Sequence, residues 1–356
     1  MEIVLYLTNN CNMNCKYCYQ GDKKREYTLS FENARKAIDE LSQNKNKVTI
    51  GFFGGEPLLN KELFYKVINY CEEKFKKEKT NYGFSITTNG TLIDEEFAIF
   101  CKKHKVHVGI SIDGTKESHD KNRLDYQGDS TYDKTLNGLK LCIANKVKVM
   151  ALPVVCLNKV DDMVNNLEFF INYGVKEVTF NFNYDDNWDD NTLEKLNEQY
   201  SIINDIYIRE LKKNNRIKIY PIDTKIVFML DKNRQCTERC NLDRTCIDSD
   251  GNFYPCVQFV GKQKYNIGNL DDGIDDKKRF ELIKTRNTSS VICKDCALKR
   301  YCAYNCGCMR LVTTGDIIDV SPLVCETEKI YINSANDLIK KIGEQSEFIK
   351  YIWMKG

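Results

Sequence analysis

The chain has 356 residues, enough for one large domain or two moderate ones with buried cores. Its 53 basic residues nearly balance its 51 acidic ones, which excludes a dedicated nucleic-acid binder with a basic excess on one face. No apolar run approaches the length needed to cross a bilayer, and Met1–Leu7 lacks the basic start and long apolar stretch of a signal peptide, so the expected setting is the cytoplasm, away from membranes.

Up to about residue 220 the sequence alternates β-type runs with amphipathic helical stretches. Strands are expected over Ile3–Leu7, Val48–Phe53, Tyr82–Thr88, Val106–Ile112, Val147–Val155 and Val175–Phe182. Between them, apolar residues three or four apart mark helices. The first carries Phe31, Ala34, Ile38 and Leu41 behind Ser30 as N-cap, and the second Leu63, Phe64, Val67, Ile68, Cys71 and Phe75. Tyr132, Leu136, Leu139 and Ile143 mark another, Met163, Val164, Leu167, Phe170 and Ile171 the next, and a further helix is expected from about Thr192 to Lys212. Repeated β-then-α units imply parallel strands with right-handed crossovers. The unusual motifs all fall just after strands: Cys11–Cys18, Gly54–Pro57, Asn89-Gly90, Asp113-Gly114, and Asn181 with Asn183. That placement favours an α/β fold in which a partial (β/α)6 barrel of the TIM type gathers one site at the C-terminal ends of its strands.

Seventeen cysteines are the compositional anomaly. An exported disulfide framework would need a signal sequence, and an odd number leaves one thiol over. With only His104, His107 and His119 present, the metal chemistry must be thiolate chemistry. Cys71, Cys101, Cys142 and Cys156 lie singly among apolar residues and read as core packing. Cys11, Cys15 and Cys18 form a CxxxCxxC loop. Structural zinc closes with four ligands, and no fourth lies nearby. Three thiolates suit instead a four-iron cluster with one iron left open.

That loop, as CxxxCxYC with Tyr17, resembles the signature of radical S-adenosylmethionine (radical SAM) enzymes. Gly54-Gly55-Glu56-Pro57 resembles the family's GGEP segment, where bare glycine backbone allows close approach of the cofactor's amino end. Ser111, Asp113 and Arg123, with His119 and Asp120 between, resemble the region where a serine and an arginine twelve positions later hold the methionine carboxylate. The resemblance places Asn89 near the ribose, and His119 reads as a structural hydrogen-bonder. It implies that the open iron chelates S-adenosyl-L-methionine, that reductive cleavage gives a 5′-deoxyadenosyl radical, and that this radical takes a hydrogen atom from an unactivated C–H bond.

Further on, Cys240-x5-Cys246-x9-Cys256, then Cys293-x2-Cys296-x5-Cys302-x3-Cys306 and finally Cys325, with Gly251 five before Cys256, resemble the SPASM extension of radical enzymes that modify peptides and proteins. The resemblance implies two auxiliary [4Fe-4S] clusters, one held by Cys240, Cys246, Cys256 and Cys306, the other by Cys293, Cys296, Cys302 and Cys325, making three clusters in all. Cys236 and Cys308 are spare thiols. The expected division is a barrel over 1–225, a cysteine-rich domain over 226–335, and a tail over 336–356 read as a short helical segment on Ile330, Ile332, Leu338 and Ile339.

Two activities fit this resemblance. The favoured one is a maturase of ribosomally made peptides, for example one that forms a cysteine thioether. The alternative is an anaerobic sulfatase maturase making formylglycine from cysteine or serine. Sulfatase maturases carry a catalytic aspartate directly after the cysteine matching Cys256, and Val257 stands there instead. Implied partners are a precursor peptide or protein, an electron donor such as flavodoxin or ferredoxin, and a separate leader-binding protein, because the chain starts directly at its first strand. Asn181, Asn183 and Tyr184 are candidate peptide contacts.

Overall fold

The structure is a computed structural model, and it describes residues 1–20, 27–231, 244–287 and 290–343. Along the chain the strands are β1 (Glu2–Tyr6), β2 (Lys47–Phe53), β3 (Asn81–Thr88), β4 (His107–Ile110), β5 (Val149–Ala151), β6 (Val154–Val155), β7 (Glu177–Thr179), β8 (Asn181–Phe182), β9 (Lys218–Tyr220), β10 (Arg244–Ile247) and β11 (Phe253–Tyr254). A small hairpin, β12 (Gly268–Asn269) and β13 (Gly273–Ile274), follows. The helices are α1 (Phe31–Leu41), α2 (Lys61–Glu78), α3 (Glu95–Lys103), α4 (Lys116–Asp120), α5 (Tyr132–Ala144), α6 (Met163–Asn172), α7 (Asp190–Lys212), α8 (Ile222–Leu230), α9 (Asp276–Asn287), α10 (Gly307–Thr314) and α11 (Pro322–Ile342).

The chain forms two compact units, one of residues 1–112, 122–150 and 240–283, the other of 113–121, 151–239 and 284–356. In the first, β1, β2, β3 and β4 pair in parallel, each joined to the next by a helix-bearing crossover, as a partial barrel requires. Along β2, Val48, Ile50 and Phe52 share one buried face, where Phe52 meets Phe64 of α2 with ring centroids 4.7 Å apart, and α1 and α2 bury Ala34, Ile38 and Leu41 and Leu63, Phe64, Val67, Ile68, Cys71 and Phe75. The Ser30 hydroxyl caps α1 by accepting the Asn33 N–H, as expected. A strand absent from the sequence reading extends this sheet. β10 pairs in parallel with the free side of β1, placing Cys246 opposite Val4, and β11 pairs antiparallel with β10.

In the second unit β7 pairs with β9, and β6 with β8. The run expected as one strand over Val147–Val155 is thus two, with Pro153, which has no N–H to give a ladder, between β5 and β6. Val175–Phe182 splits likewise: Phe180 donates its N–H to Tyr220, while the next two residues turn to pair with β6. α7 starts two residues before the expected Thr192 because Asp189 and Thr192 form a capping box. The tail segment is longer than expected. α11 runs 21 residues from a Ser321 cap, so Cys325 sits in its first turn. α11 packs on α7, with the Tyr200 and Tyr331 rings 5.3 Å apart edge to face.

Cys71, Cys101 and Cys142 are fully buried and Cys156 nearly so, as core packing requires. Burial pushes the thiols of the first three upward, Cys142 to about 12, far from a reactive thiolate. Among the described residues no helix is long and apolar enough to cross a membrane.

Candidate active site

The three-cysteine loop leaves β1 and is fastened on two sides. Thr8 bridges to Thr28, and the Asn9 N–H donates to Tyr27. The Asn14 and Lys16 N–H groups donate to the carbonyls of Leu124 and Asn122 at 2.8 and 2.9 Å. Met13 is fully buried beneath the loop, whereas Cys11, Cys15 and Cys18 remain half-buried, in contrast to the core cysteines. Cys11 Sγ accepts the Met13 N–H at 3.4 Å. Residues 7–20 contain no carboxylate and no imidazole, so the donor set is three soft sulfurs, which fits an iron–sulfur cluster and not a hard cation.

Gly54 and Gly55 continue alongside Thr8–Asn10 after β2 ends. Gly55 N–H donates to Thr8 and Glu56 N–H to Asn10, both at 2.8 Å. A Cβ on Gly54 would lie 2.4 Å from the Thr8 carbonyl oxygen, and one on Gly55 2.2 Å from that of Asn10. The glycines are therefore required first by the backbone leading into Cys11. The Glu56 side chain turns inward, fully buried. Its Oε1 accepts Leu58 N–H at 2.9 Å and the Thr88 hydroxyl at 2.6 Å, and its Oε2 accepts Asn89 N–H at 2.7 Å. Burial raises its carboxyl above the ordinary range, and these donors pull it partly back.

Ser111 follows β4, its N–H donating to Thr88. Arg123 is buried, its guanidinium over the Tyr17 ring at 5.2 Å, so the arginine lies on the cysteine loop itself. Asp113, assigned beside the cofactor from sequence, engages both carboxylate oxygens with its own unit. One accepts the Val154 N–H at 2.9 Å and the other meets the buried Lys159 ammonium. His119 is wholly buried, and its Nδ1 accepts the Asp113 N–H at 3.4 Å, the structural task expected of it. The Asn89 amide, expected near the ribose, turns its nitrogen toward Asn12 and Cys11.

Residues 5–171 match the family model of the radical SAM superfamily. The chain is 30% identical over 287 residues to an uncharacterized protein of Methanocaldococcus jannaschii, covering 80% of this chain and 93% of that one. The chain belongs to the radical SAM superfamily. It is an S-adenosylmethionine-cleaving enzyme with a [4Fe-4S] cluster. A cysteine-type anaerobic sulfatase-maturating enzyme of Clostridium novyi is 29% identical over 335 residues, 84% of this chain and 85% of that enzyme. Native anSMEcpe, solved with bound AdoMet and the Cp18Cys peptide, superposes with a TM-score of 0.83 at 25% identity, covering 96% of this chain and 98% of that one.

The later cysteines of this radical SAM enzyme fall in both units. In the first, Cys246 on β10 and Cys256 after β11 lie within electrostatic reach of each other, and burial chiefly drives the Cys246 thiol upward. Burial first, and then the neighbouring Tyr19, Cys246 and Cys18, hold the Tyr6 phenol high. In the second unit, Cys293 is buried with Val320 and Val324, and Tyr184, Tyr304, Met309 and Cys325 pack against them. Cys293, Cys296 and Cys325 act electrostatically on one another, and Cys302 follows in a turn on Lys299. Cys306 Sγ lies 3.2 Å from Cys308 Sγ. Cys236 and Cys240 lie outside the described residues.

Sequence reasoning missed the groups that hold these loops. Arg310 is fully buried and donates to the carbonyls of Tyr304, Arg286 and Ile317 at 2.7, 3.0 and 2.9 Å. Lys225 and Glu328 form a buried pair at 2.5 Å that also reaches Tyr301 and Ala303. Neither motif nor spacing marks these residues. Tyr184, assigned as a peptide contact, is a packing residue, 4.7 Å from the Phe182 ring, while Asn181 stays exposed.

Proposed function

We propose that the enzyme is a maturase that takes a hydrogen atom from a ribosomally made peptide to install a modification, a cysteine thioether cross-link being one example. The observation that carries this reading is the likeness, over nearly the whole chain, to an enzyme solved with AdoMet and a cysteine-containing peptide. Cys11, Cys15 and Cys18 would hold the catalytic cluster. Gly54, Gly55, Ser111 and Arg123 would hold S-adenosylmethionine, with Tyr17 beneath the Arg123 guanidinium. Glu56, Asn89 and Asp113 would set the loops that carry them. Bound there, the two cofactors supply a carbon-centred radical able to attack an unactivated C–H bond. The buried guanidinium suits a carboxylate in a fork geometry, and the walls around it limit water.

Two further [4Fe-4S] clusters belong to this reading, on Cys240, Cys246, Cys256 and Cys306 and on Cys293, Cys296, Cys302 and Cys325, fed by a flavodoxin- or ferredoxin-type donor. Four-thiolate sites of this kind pin together segments far apart in sequence. Anaerobic reconstitution with iron and sulfide should yield about twelve irons per chain. With dithionite, S-adenosylmethionine and candidate cysteine-containing peptides, mass spectrometry should show 5′-deoxyadenosine and a peptide lighter by two hydrogens. If no 5′-deoxyadenosine forms with clusters loaded and reduced, the reading fails.

Formylglycine formation is the second reading, favoured by the likeness to the Clostridium novyi enzyme. Against it, Val257 opens the short 3-10 turn Val257–Phe259 where an acid is expected. A product aldehyde trapped by a hydrazine would decide for this chemistry over the thioether.

A further inference from the structure

Three side chains of the first unit close a ring beside Cys11. Asn89 Nδ2 donates to Asn12 Oδ1 at 2.8 Å, Asn12 Nδ2 donates to Thr91 Oγ1 at 2.8 Å, and the Thr91 hydroxyl donates to Asn89 Oδ1 at 2.7 Å. Each member gives one hydrogen bond and receives one, so the ring has a single sense of direction. The Thr91 backbone N–H fixes that sense independently, because it donates to Asn89 Oδ1 at 3.0 Å. The oxygen end of the Asn89 amide is thereby held away from the cysteine loop, and its nitrogen end must face it. That nitrogen has two hydrogens. One goes to Asn12, and Cys11 Sγ lies 3.9 Å away to receive the other, within the longer reach of sulfur. Asn89 is buried, 7% exposed, so the contact is shielded from water.

We infer that the Asn12–Asn89–Thr91 ring is a device that aims an amide N–H at the Cys11 sulfur and so raises the reduction potential of the cluster bound there. Hydrogen bonds to a cluster's sulfur ligands withdraw electron density and favour the more negative, reduced state. The ring acts through Cys11, so its members are positioning residues, and the inference rests on Cys11 ligating the catalytic cluster. Asn12 is the new participant: it lies in the spacer of the cysteine motif, where spacing alone gives it no task. The ring also ties that spacer to the turn after β3, fixing the first cysteine relative to the sheet.

The test is an anaerobic redox titration of the reconstituted full-length enzyme, read by electron paramagnetic resonance. The relevant signal is the one that changes on adding S-adenosylmethionine, which separates the open-iron cluster from the auxiliary ones. Asn89→Leu removes the donor, Asn12→Leu removes the acceptor that orients it, and Thr91→Val removes the hydroxyl closing the ring with little change of shape. The expected result is a midpoint potential more negative than wild type in Asn89→Leu, and a smaller shift in the same direction in Asn12→Leu and Thr91→Val. Iron per chain should stay at the wild-type level in Thr91→Val, which keeps the test open if a larger change unseats the cluster. Unchanged potentials in the loaded variants would overturn the inference while leaving the radical chemistry standing. Absence of any S-adenosylmethionine-responsive signal in the wild type would overturn both.

Discussion

The Glu56 carboxylate accepts the Asn89 N–H at 2.7 Å and thereby joins the loop after β2 to the turn after β3. Both its oxygens are occupied by donors, with Leu58 and Thr88 on the other side. Glu56→Gln would turn an NH2 group toward one of these donors and leave a buried group unmet. It should cost about 1–3 kcal/mol, measured by anaerobic urea denaturation, and weaken S-adenosylmethionine binding in equilibrium dialysis. An unaltered denaturation midpoint would show that the clamp contributes nothing.

Gly55→Ala forces a Cβ to within 2.2 Å of the Asn10 carbonyl oxygen, a backbone atom that cannot swing aside. We expect a loss of about 1–3 kcal/mol and reduced iron at the three-cysteine loop. Gly83→Ala is the control, since nothing lies within 4 Å of the Cβ it would add. Equal iron content in the two variants would contradict the packing account.

The Asp113–Lys159 pair is almost wholly buried. Lys159→Met removes the buried ammonium from beside this buried carboxylate and should destabilise the enzyme by about 3–5 kcal/mol. The double variant Asp113→Asn with Lys159→Met should be less destabilised than Lys159→Met alone. A double variant as unstable as the sum of the singles would rule out direct coupling.

Asp223 accepts the Tyr207 hydroxyl at 2.6 Å and the Ile219 N–H, yet burial outweighs these donors and pushes its carboxyl up to about 7. From about pH 4 upward the unfolded carboxyl, with its ordinary value near 3.9, is ionised while the folded one keeps its proton. Stability therefore falls as pH rises toward 7, by up to something on the order of 4 kcal/mol across that window. Denaturation midpoints between pH 5 and 8 should show this slope, and Asp223→Asn should flatten it.

Arg310 holds three backbone carbonyls of the cysteine-rich segment. Arg310→Met leaves all three buried oxygens without that donor, at about 1–3 kcal/mol each. Iron should be lost from the C-terminal cysteines while the S-adenosylmethionine-responsive signal persists. Loss of both together would show that the two regions do not unfold separately.

Local features were legible in the sequence wherever chemistry depends on spacing along one segment. Ser30 caps α1, the apolar faces of α1 and α2 are buried as their periodicity required, and the cysteine, GGEP and Asn89 motifs all follow parallel strands. Strand ends were less legible. Pro153 and the competition of β9 and β6 for neighbouring residues cut two expected strands, and the latter depends on partners 25 or more residues away in sequence.

By itself the sequence determined the radical SAM chemistry, because a three-thiolate loop and the residues around it are covalently spaced. It also determined that the scattered cysteines are core, because they lie singly among apolar residues, Cys71, Cys101 and Cys142 on buried helix faces and Cys156 just after a strand. Only the tertiary structure decided that β10 completes the free side of β1, and that Gly55 makes room for a backbone carbonyl. It alone decided that Asp113 faces Lys159 and that Asn89 is turned toward Cys11. Each of these is a contact between segments distant in sequence. A side chain's hydrogen-bond partner is chosen by whatever folding brings within about 3 Å of it, and no pattern along one segment encodes that choice.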